Sequence, residues 1–181
     1  MSIGTPALVH LVRERIPHHV HQYEIPETGG PAQARGARVH YGLAAAEALG
    51  ASPAQMLKTL VVSLEHPAGA PGERGARPPE IGMALLAVDR EASLKLVARA
   101  FGARRAALLD AADVTKVTGY VIGGVSPFGT KRPLPVVIDD AVVSLPRVYL
   151  SAGQRGTSIE MTSADLIRGL DAHVAPISGA E

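Results

Sequence analysis

Apolar and polar positions alternate along this chain at two periods, and the changes of period mark its elements. Leu8, Leu11, Val12 and Ile16 fall at helical spacing with Arg15 at the edge of the stripe. Thr5 stands where a capping side chain belongs and Pro6 suits the first helical position, so a helix is predicted from Thr5 to Pro17. His19, His21 and Tyr23 alternate with Val20 and Gln22, which predicts a strand through Ile25. Residues 26–36 are rich in Pro, Gly and polar side chains and read as a loop. A helix is predicted from Val39 to Leu49, stopped by Gly50, with a short helical turn opened by Ser52 and Pro53.

Leu57 to Leu64 is a β-rich run whose alternation sets Lys58, Leu60, Val62 and Leu64 on one face. Residues 66–79 read as a surface loop, and Ile81 to Val88 as a strand. Asp89 is placed to cap a helix running to Phe101, with Gly102 as its stop. Asp110 and Asp113 match a helix-start signal. A short strand is predicted over Tyr120 to Gly123, with further strands at Leu134–Ile138, Arg147–Leu150 and around Ile159 and Met161. Thr162 and Asp165 cap a last helix to about Leu170, and residues 172–181 are expected to fray. Strands interleaved with helices, without the regular alternation of a dinucleotide-binding fold, predict one mixed α+β domain with a curved or barrel-like sheet.

Composition narrows the core and the chemistry. With no Trp and two Phe, the core must be built from small and branched aliphatics. The absence of Cys removes disulfides, thiolate metal sites and a cysteine nucleophile. Residues 1–17 lack the basic region and apolar run of a signal peptide. No stretch reaches the roughly 18 apolar residues of a membrane span, so a cytoplasmic protein is expected. The net charge of +1 is low for a protein that holds nucleic acid chiefly by charge. Any such contact is therefore expected to be local or assisted by a partner.

Three segments carry candidate chemistry. Lys58 shares a strand face with three aliphatics; its ammonium either reaches water at a strand edge or is held in a pocket where it binds an oxygen. The run Gly123-Gly124-Val125-Ser126-Pro127-Phe128-Gly129 is either a tight connection or a place where backbone amides approach a ligand. Ser151 to Gly156 offers the same two readings. His18, His19 and His21 have no acidic or His partner at a fixed spacing, and the chain has no Cys, so no metal is assigned to them. Neither a nucleophile elbow nor paired carboxylates are visible.

These segments resemble the YbaK/EbsC-type aminoacyl-tRNA deacylases. The resemblance runs through Met56–Val62, Thr118–Gly129, Lys131, Leu134-Pro135, Ile138-Asp139, Val148–Ser151, Gly153, Arg155-Gly156 and Ile159-Glu160, with Val20–Glu24 as an earlier match. It implies a mixed β-barrel-like sheet flanked by helices, related to the editing domain of prolyl-tRNA synthetases. It also implies cleavage of a mischarged aminoacyl ester, foremost Cys-tRNA(Pro) or another Cys-tRNA. Ala or another small residue is the alternative substrate, and a non-catalytic tRNA-end or nucleotide binder the alternative role. When cysteine is the misplaced residue its own thiol can attack the ester, so the protein need not supply a nucleophile. The partners implied are the aminoacylated tRNA 3′ end and prolyl-tRNA synthetase, with no cofactor.

Carried over by position, Lys58, Gly124 and Ser151 would act at the ester. Tyr23, Thr59, Gly123, Ser126, Gly153 and Ser158 would surround the substrate. Lys131, Arg132 and Arg155 flank this expected pocket and are either contacts for tRNA phosphates or ordinary solvated charges. The chain departs from the family at Ala152, where glycine is frequent, and at Ser158, where an aspartate stands and where amino-acid preference is expected to change. Its 66–79 loop is also longer.

Overall fold

The computed structural model describes residues 4–24, 41–67 and 80–179. Thr5 caps helix α1 (Pro6–Arg13) by accepting the Leu8 amide at 3.3 Å, as its sequence predicts. The same hydroxyl donates to the Ala152 carbonyl, so the cap also ties α1 to the sheet. Ala7 and Leu11 form the buried side of α1, which ends at Arg13, short of the expected Pro17; Ile16 is buried just beyond it, whereas Val12 is exposed. Strand β1 (His19–Gln22) follows and ends before Tyr23. Helix α2 (Tyr41–Leu49) matches the predicted helix from its third residue onward; Val39 and His40 lie outside the described residues, as do the loop at 26–36 and most of that at 66–79.

Strand β2 (Leu57–Glu65) is flanked on both sides, by β3 (Glu80–Ala87) and by β4 (Arg105–Leu108), both antiparallel. Its two faces serve two cores, as a two-residue side-chain period requires. Leu57 and Val61 join the larger cluster with Met83, Leu85 and Ile138; Val62 and Leu64, with Leu60 beside them, join the smaller one under α3 (Leu94–Ala100). Helix α4 (Ala111–Thr118) starts as predicted, with Asp110 accepting the Asp113 amide at 2.9 Å. Strand β5 (Val136–Asp139) pairs parallel with β3, completing the mixed character of this sheet.

Strands β6 (Val148–Gln154) and β7 (Thr157–Met161) form a hairpin, and β1 pairs with β7 to give a three-stranded antiparallel sheet. Helix α5 (Ser163–Leu170) is capped by Thr162 on the Asp165 amide at 3.0 Å. The two sheets meet where Met56 bridges Tyr149, and the larger core fills the space between them with Val148, Leu150, Ile159 and Met161. The fold is thus mixed α+β with a curved, open arrangement of two sheets.

Three local expectations are corrected by long-range contacts. The helix expected to start at Asp89 starts at Ser93 instead: Ser93 donates its amide to Ile177, and Ala92 bridges Ser178, which holds residues 91–93 out of the helix. Tyr120–Gly123 makes no ladder, because the buried Tyr120 hydroxyl donates to the Phe128 carbonyl at 2.7 Å and pins the segment by its side chain. Residues beyond 171 do not simply fray. Strand β8 (His173–Ala175) pairs parallel with β5, and Ile177 is fully buried in the smaller core.

An ionic cluster joins β1 and β7 to the residue that leads into β6. The buried Glu160 carboxylate accepts from His21 at 2.7 Å and Arg147 at 2.8 Å. The His21 hydrogen bond first, and then Arg147, hold that carboxyl below its usual range against the opposing effect of burial. Its charge therefore stabilises the fold above the unfolded pKa of about 4.3 and loses that effect as pH falls through the lower folded value. Glu160→Gln is expected to cost about 1–3 kcal/mol at pH 7, a fall of roughly 2–12 °C in thermal midpoint. The difference from wild type should shrink in acid; a constant difference from pH 7 to pH 3 would show that the charge contributes nothing.

Candidate functional site

A cavity of about 340 Å³ opens where the N-terminal end of β2 meets α2, the glycine-rich turn and the β6–β7 hairpin. Met56 to Leu60 form one wall, Tyr41, Gly42, Leu43 and Ala45 of α2 form a second, and Ile122, Gly123 and Val125 form a third. Tyr23, just past β1, and Ser151 and Ser158 from the paired β6 and β7 complete it. The lining is aliphatic with hydroxyls and one amine, the usual make-up of a small-molecule site.

Lys58 supplies the amine. It stands beside Leu60 on the face of β2 that carries the smaller core, and it is half-buried. Its Nζ donates to the Arg90 carbonyl in the turn after β3. Burial lowers its pKa, while Glu91 and Asp89 act in the opposite sense and favour the ammonium. Among the described residues no carboxylate pairs directly with it, so N–H donors remain for a ligand oxygen.

The hydroxyls form a connected set. Tyr23 Oη and Ser158 Oγ lie 2.9 Å apart, and Ser151 faces Ser158 across the β6–β7 register. Burial raises the Tyr23 pKa, so its phenol stays protonated and able to donate. Ser151 Oγ accepts the Gly153 amide at 3.2 Å, which orients it. Among the described residues none of these hydroxyls is bonded to a His or a carboxylate, so these residues assemble no activated serine nucleophile.

Gly123 is the glycine of the glycine-rich run that lines the cavity, beside Val125. Its φ of +87° lies in the left-handed region, and a Cβ there would stand 2.7 Å from the Tyr41 ring. Tyr41 was not singled out in the sequence. Its ring is backed by Arg155, whose guanidinium lies 4.5 Å from the ring centroid and donates twice to the Ile122 carbonyl, at 3.0 and 2.8 Å. Turn, helix and hairpin are thereby locked together around the cavity mouth. An aromatic at the start of an alanine-rich helix was the available signal for Tyr41, but nothing local says which wall that helix covers.

Most of the other expected site residues lie elsewhere. Gly124 packs its α-carbon against Gln154 and gives its amide to Val121 at 2.9 Å, so that amide serves the turn. Ser126 is fully buried and accepts the Phe128 amide at 3.3 Å. Gly153 lies against Tyr120 and Thr5 behind the hairpin. Lys131 donates to the Lys116 carbonyl at 3.0 Å, and Arg132 is exposed outside the cavity. Thr59 lines the cavity beside Lys58. Of the early histidines, His18 bonds the Ile16 carbonyl at 2.8 Å and His21 is taken up by Glu160.

Comparisons with known proteins converge on one family. The model of the aminoacyl-tRNA editing domain matches residues 42–168. The chain is 29% identical over 99 residues to an Enterococcus faecalis protein named "Putative Cys-tRNA(Pro)/Cys-tRNA(Cys) deacylase EbsC", covering 55% of this chain and 60% of that one. It is 32% identical over 87 residues to the Escherichia coli "Multifunctional Ser/Thr-tRNA deacylase ProXp-y", covering 48% and 52%. The matches thus span less than two thirds of these relatives' lengths. A solved structure titled "Crystal structure of a putative trans-editing enzyme for prolyl tRNA synthetase" superposes with a TM-score of 0.74 at 22% identity, covering 97% of this chain and 96% of the other. That likeness shows a shared fold.

Proposed function

This chain belongs to the aminoacyl-tRNA editing domain family, and from that premise we propose that it clears mischarged tRNA by breaking the aminoacyl ester at the 3′ end. The observation that carries the reading is the half-buried Lys58 amine in the wall of a small cavity whose other polar groups are hydroxyls. An ester carbonyl gains negative charge as it is attacked, and an ammonium held in a pocket is worth most at that moment. The acyl C–O bond breaks and the tRNA 3′-hydroxyl leaves. The attacking atom comes from water or from the substrate's own side chain, since the described residues assemble no activated nucleophile.

Cysteine on tRNA(Pro) is the leading substrate, supported by the name of the Enterococcus faecalis relative. The hydroxyl pair Tyr23–Ser158 favours a second candidate, a serine or threonine ester, whose side-chain hydroxyl it can meet. An alanyl ester tests whether small size alone suffices. A panel of tRNA(Pro) carrying Cys, Ala, Ser, Thr or Pro, with Cys-tRNA(Cys), separates these readings by initial rate of amino-acid release. Preference for Cys on both tRNAs supports the first reading, and preference for Ser or Thr supports the second. Equal rates on all six, Pro-tRNA(Pro) included, would contradict an editing role. Prolyl-tRNA synthetase is the partner in keeping with this substrate.

A further inference from the structure

The cations expected beside the cavity do not all remain available there: Lys131 and Arg155 are both bonded to backbone carbonyls. A different set of cations lies on the face of β2 that Lys58 shares. Arg90, whose carbonyl holds the Lys58 amine, starts a connection that reaches the Ser93 cap and then α3. From Ser93 to Leu109 the sequence holds Lys95, Arg99, Arg104 and Arg105 and no acidic residue, in a chain whose net charge is only +1. All four side chains are exposed, and all four line an open groove of about 660 Å³ between α3 and β4. Lys95 and Arg99 stand one helical turn apart on a common face. Arg105 sits opposite Glu65, at the far end of β2 from Lys58. That point is seven residue steps along β2 from Lys58, roughly 23 Å at about 3.3 Å per residue. Glu65 is the acidic side chain bonded to this set among the described residues, through an exposed contact with Arg104 at 3.3 Å that holds it weakly.

Four exposed cations without interleaved acids, in a groove whose β4 side meets the far end of β2 from Lys58, are suited to a run of phosphates. Arginine forks match phosphate oxygens two at a time, and a polyanion gains by releasing its counterions. We infer that the α3–β4 groove is the docking surface for the phosphodiester backbone of the acceptor arm of the tRNA, with Lys95, Arg99, Arg104 and Arg105 as its contacts. The inference rests on the proposed cleavage of an aminoacyl-tRNA ester, because that substrate carries its polyanion behind the reacting end. The cavity then takes the aminoacyl adenosine while the groove takes backbone too distant to enter it.

The test compares wild type with the quadruple variant Lys95→Ala, Arg99→Ala, Arg104→Ala, Arg105→Ala. A charge-matched control carries Arg13→Ala, Arg15→Ala, Lys116→Ala and Arg168→Ala. Affinity for an uncharged acceptor-stem RNA hairpin is read by fluorescence anisotropy between 50 and 200 mM salt. Cleavage is read on a charged tRNA and on a 3′-aminoacyl adenosine. The groove variant should lose at least about tenfold in RNA affinity at low salt, and its log–log salt slope should shallow by about 3. Its KM for charged tRNA should rise by a similar factor, with cleavage of the aminoacyl adenosine unchanged. Unchanged affinity and slope, an equal loss in the charge-matched control, or an equal loss on both substrates would each overturn the groove assignment. Wild type that binds the hairpin through the groove but releases no amino acid would keep the groove and remove the catalytic reading. Wild type that cleaves both substrates, with tRNA affinity indifferent to the groove variant, would do the reverse.

Discussion

Lys58→Ala is expected to slow single-turnover ester cleavage about 100- to 1000-fold while leaving the fold in place. That loss corresponds to about 2.7–4 kcal/mol of transition-state stabilisation, the usual effect of removing one preorganised donor aimed at a developing oxyanion. The amine is well placed for such an effect. It is held by the Arg90 carbonyl and lies in a cavity wall where aliphatic neighbours reduce screening. Stability should respond differently. Burial lowers the pKa of Lys58, so in the folded state its protonated form is disfavoured relative to the unfolded chain. The unfolded chain then binds the extra proton, and stability rises with pH between the lowered folded value and the ordinary lysine value of about 10.4. Below that window the charge weakens the fold, so its removal at pH 7 carries no electrostatic loss. A thermal midpoint within a few degrees of wild type, beside the rate loss, is the expected pair of results. The wild-type rate, corrected for spontaneous hydrolysis, should also fall as pH rises through a value below that of an ordinary lysine. Turnover of Lys58→Ala within about threefold of wild type would remove the amine from the mechanism.

Gly129→Ala should produce the largest structural effect. Gly129 has φ +63°, and a Cβ there would drive into the backbone of Pro6 and Ala7 at the start of α1. Backbone cannot turn aside as a flexible side chain can, so α1 or the loop must move. Left-handed strain of about 1–3 kcal/mol adds to overpacking of about 1–3 kcal/mol, a total of roughly 2–6 kcal/mol. At about 2–4 °C per kcal/mol for a chain of this size, the thermal midpoint should drop by roughly 4–24 °C. The cavity lies at the other end of the same loop, so the fraction that stays folded should keep much of its cleavage rate. A midpoint unchanged by this substitution would show that the loop and α1 do not meet as described.

Local chemistry made much of this fold legible. Caps at Thr5, Asp110 and Thr162 depend on a side chain and an amide three residues away, and each stands where the sequence places it. The alternation of Leu60, Val62 and Leu64 likewise showed which face of β2 goes inward, and with it the unusual setting of Lys58. What stayed hidden depended on distant partners. Strand β8 exists because β5 offers it a parallel edge, and α3 starts late because residues 177 and 178 hold the chain before it. In the site, Lys58, Thr59, Tyr23, Gly123, Ser151 and Ser158 line one cavity. The composition of the glycine-rich run could not say that Gly123 faces the cavity while Gly124 and Ser126 serve the turn itself. Nor could the sequence show that Arg155 is spent on the Ile122 carbonyl and the Tyr41 ring.

The central claim is that this cavity breaks the bond between an amino acid and a tRNA. It is tested most directly by mixing excess protein with tRNA(Pro) bearing a labelled residue, cysteine first, and following the label and the freed 3′ end together in one turnover. The account predicts loss of the ester well above the no-protein rate, with one free 3′ end per label released. Tight binding of the charged tRNA with ester lifetime equal to that in buffer, for every residue in the panel, would contradict it.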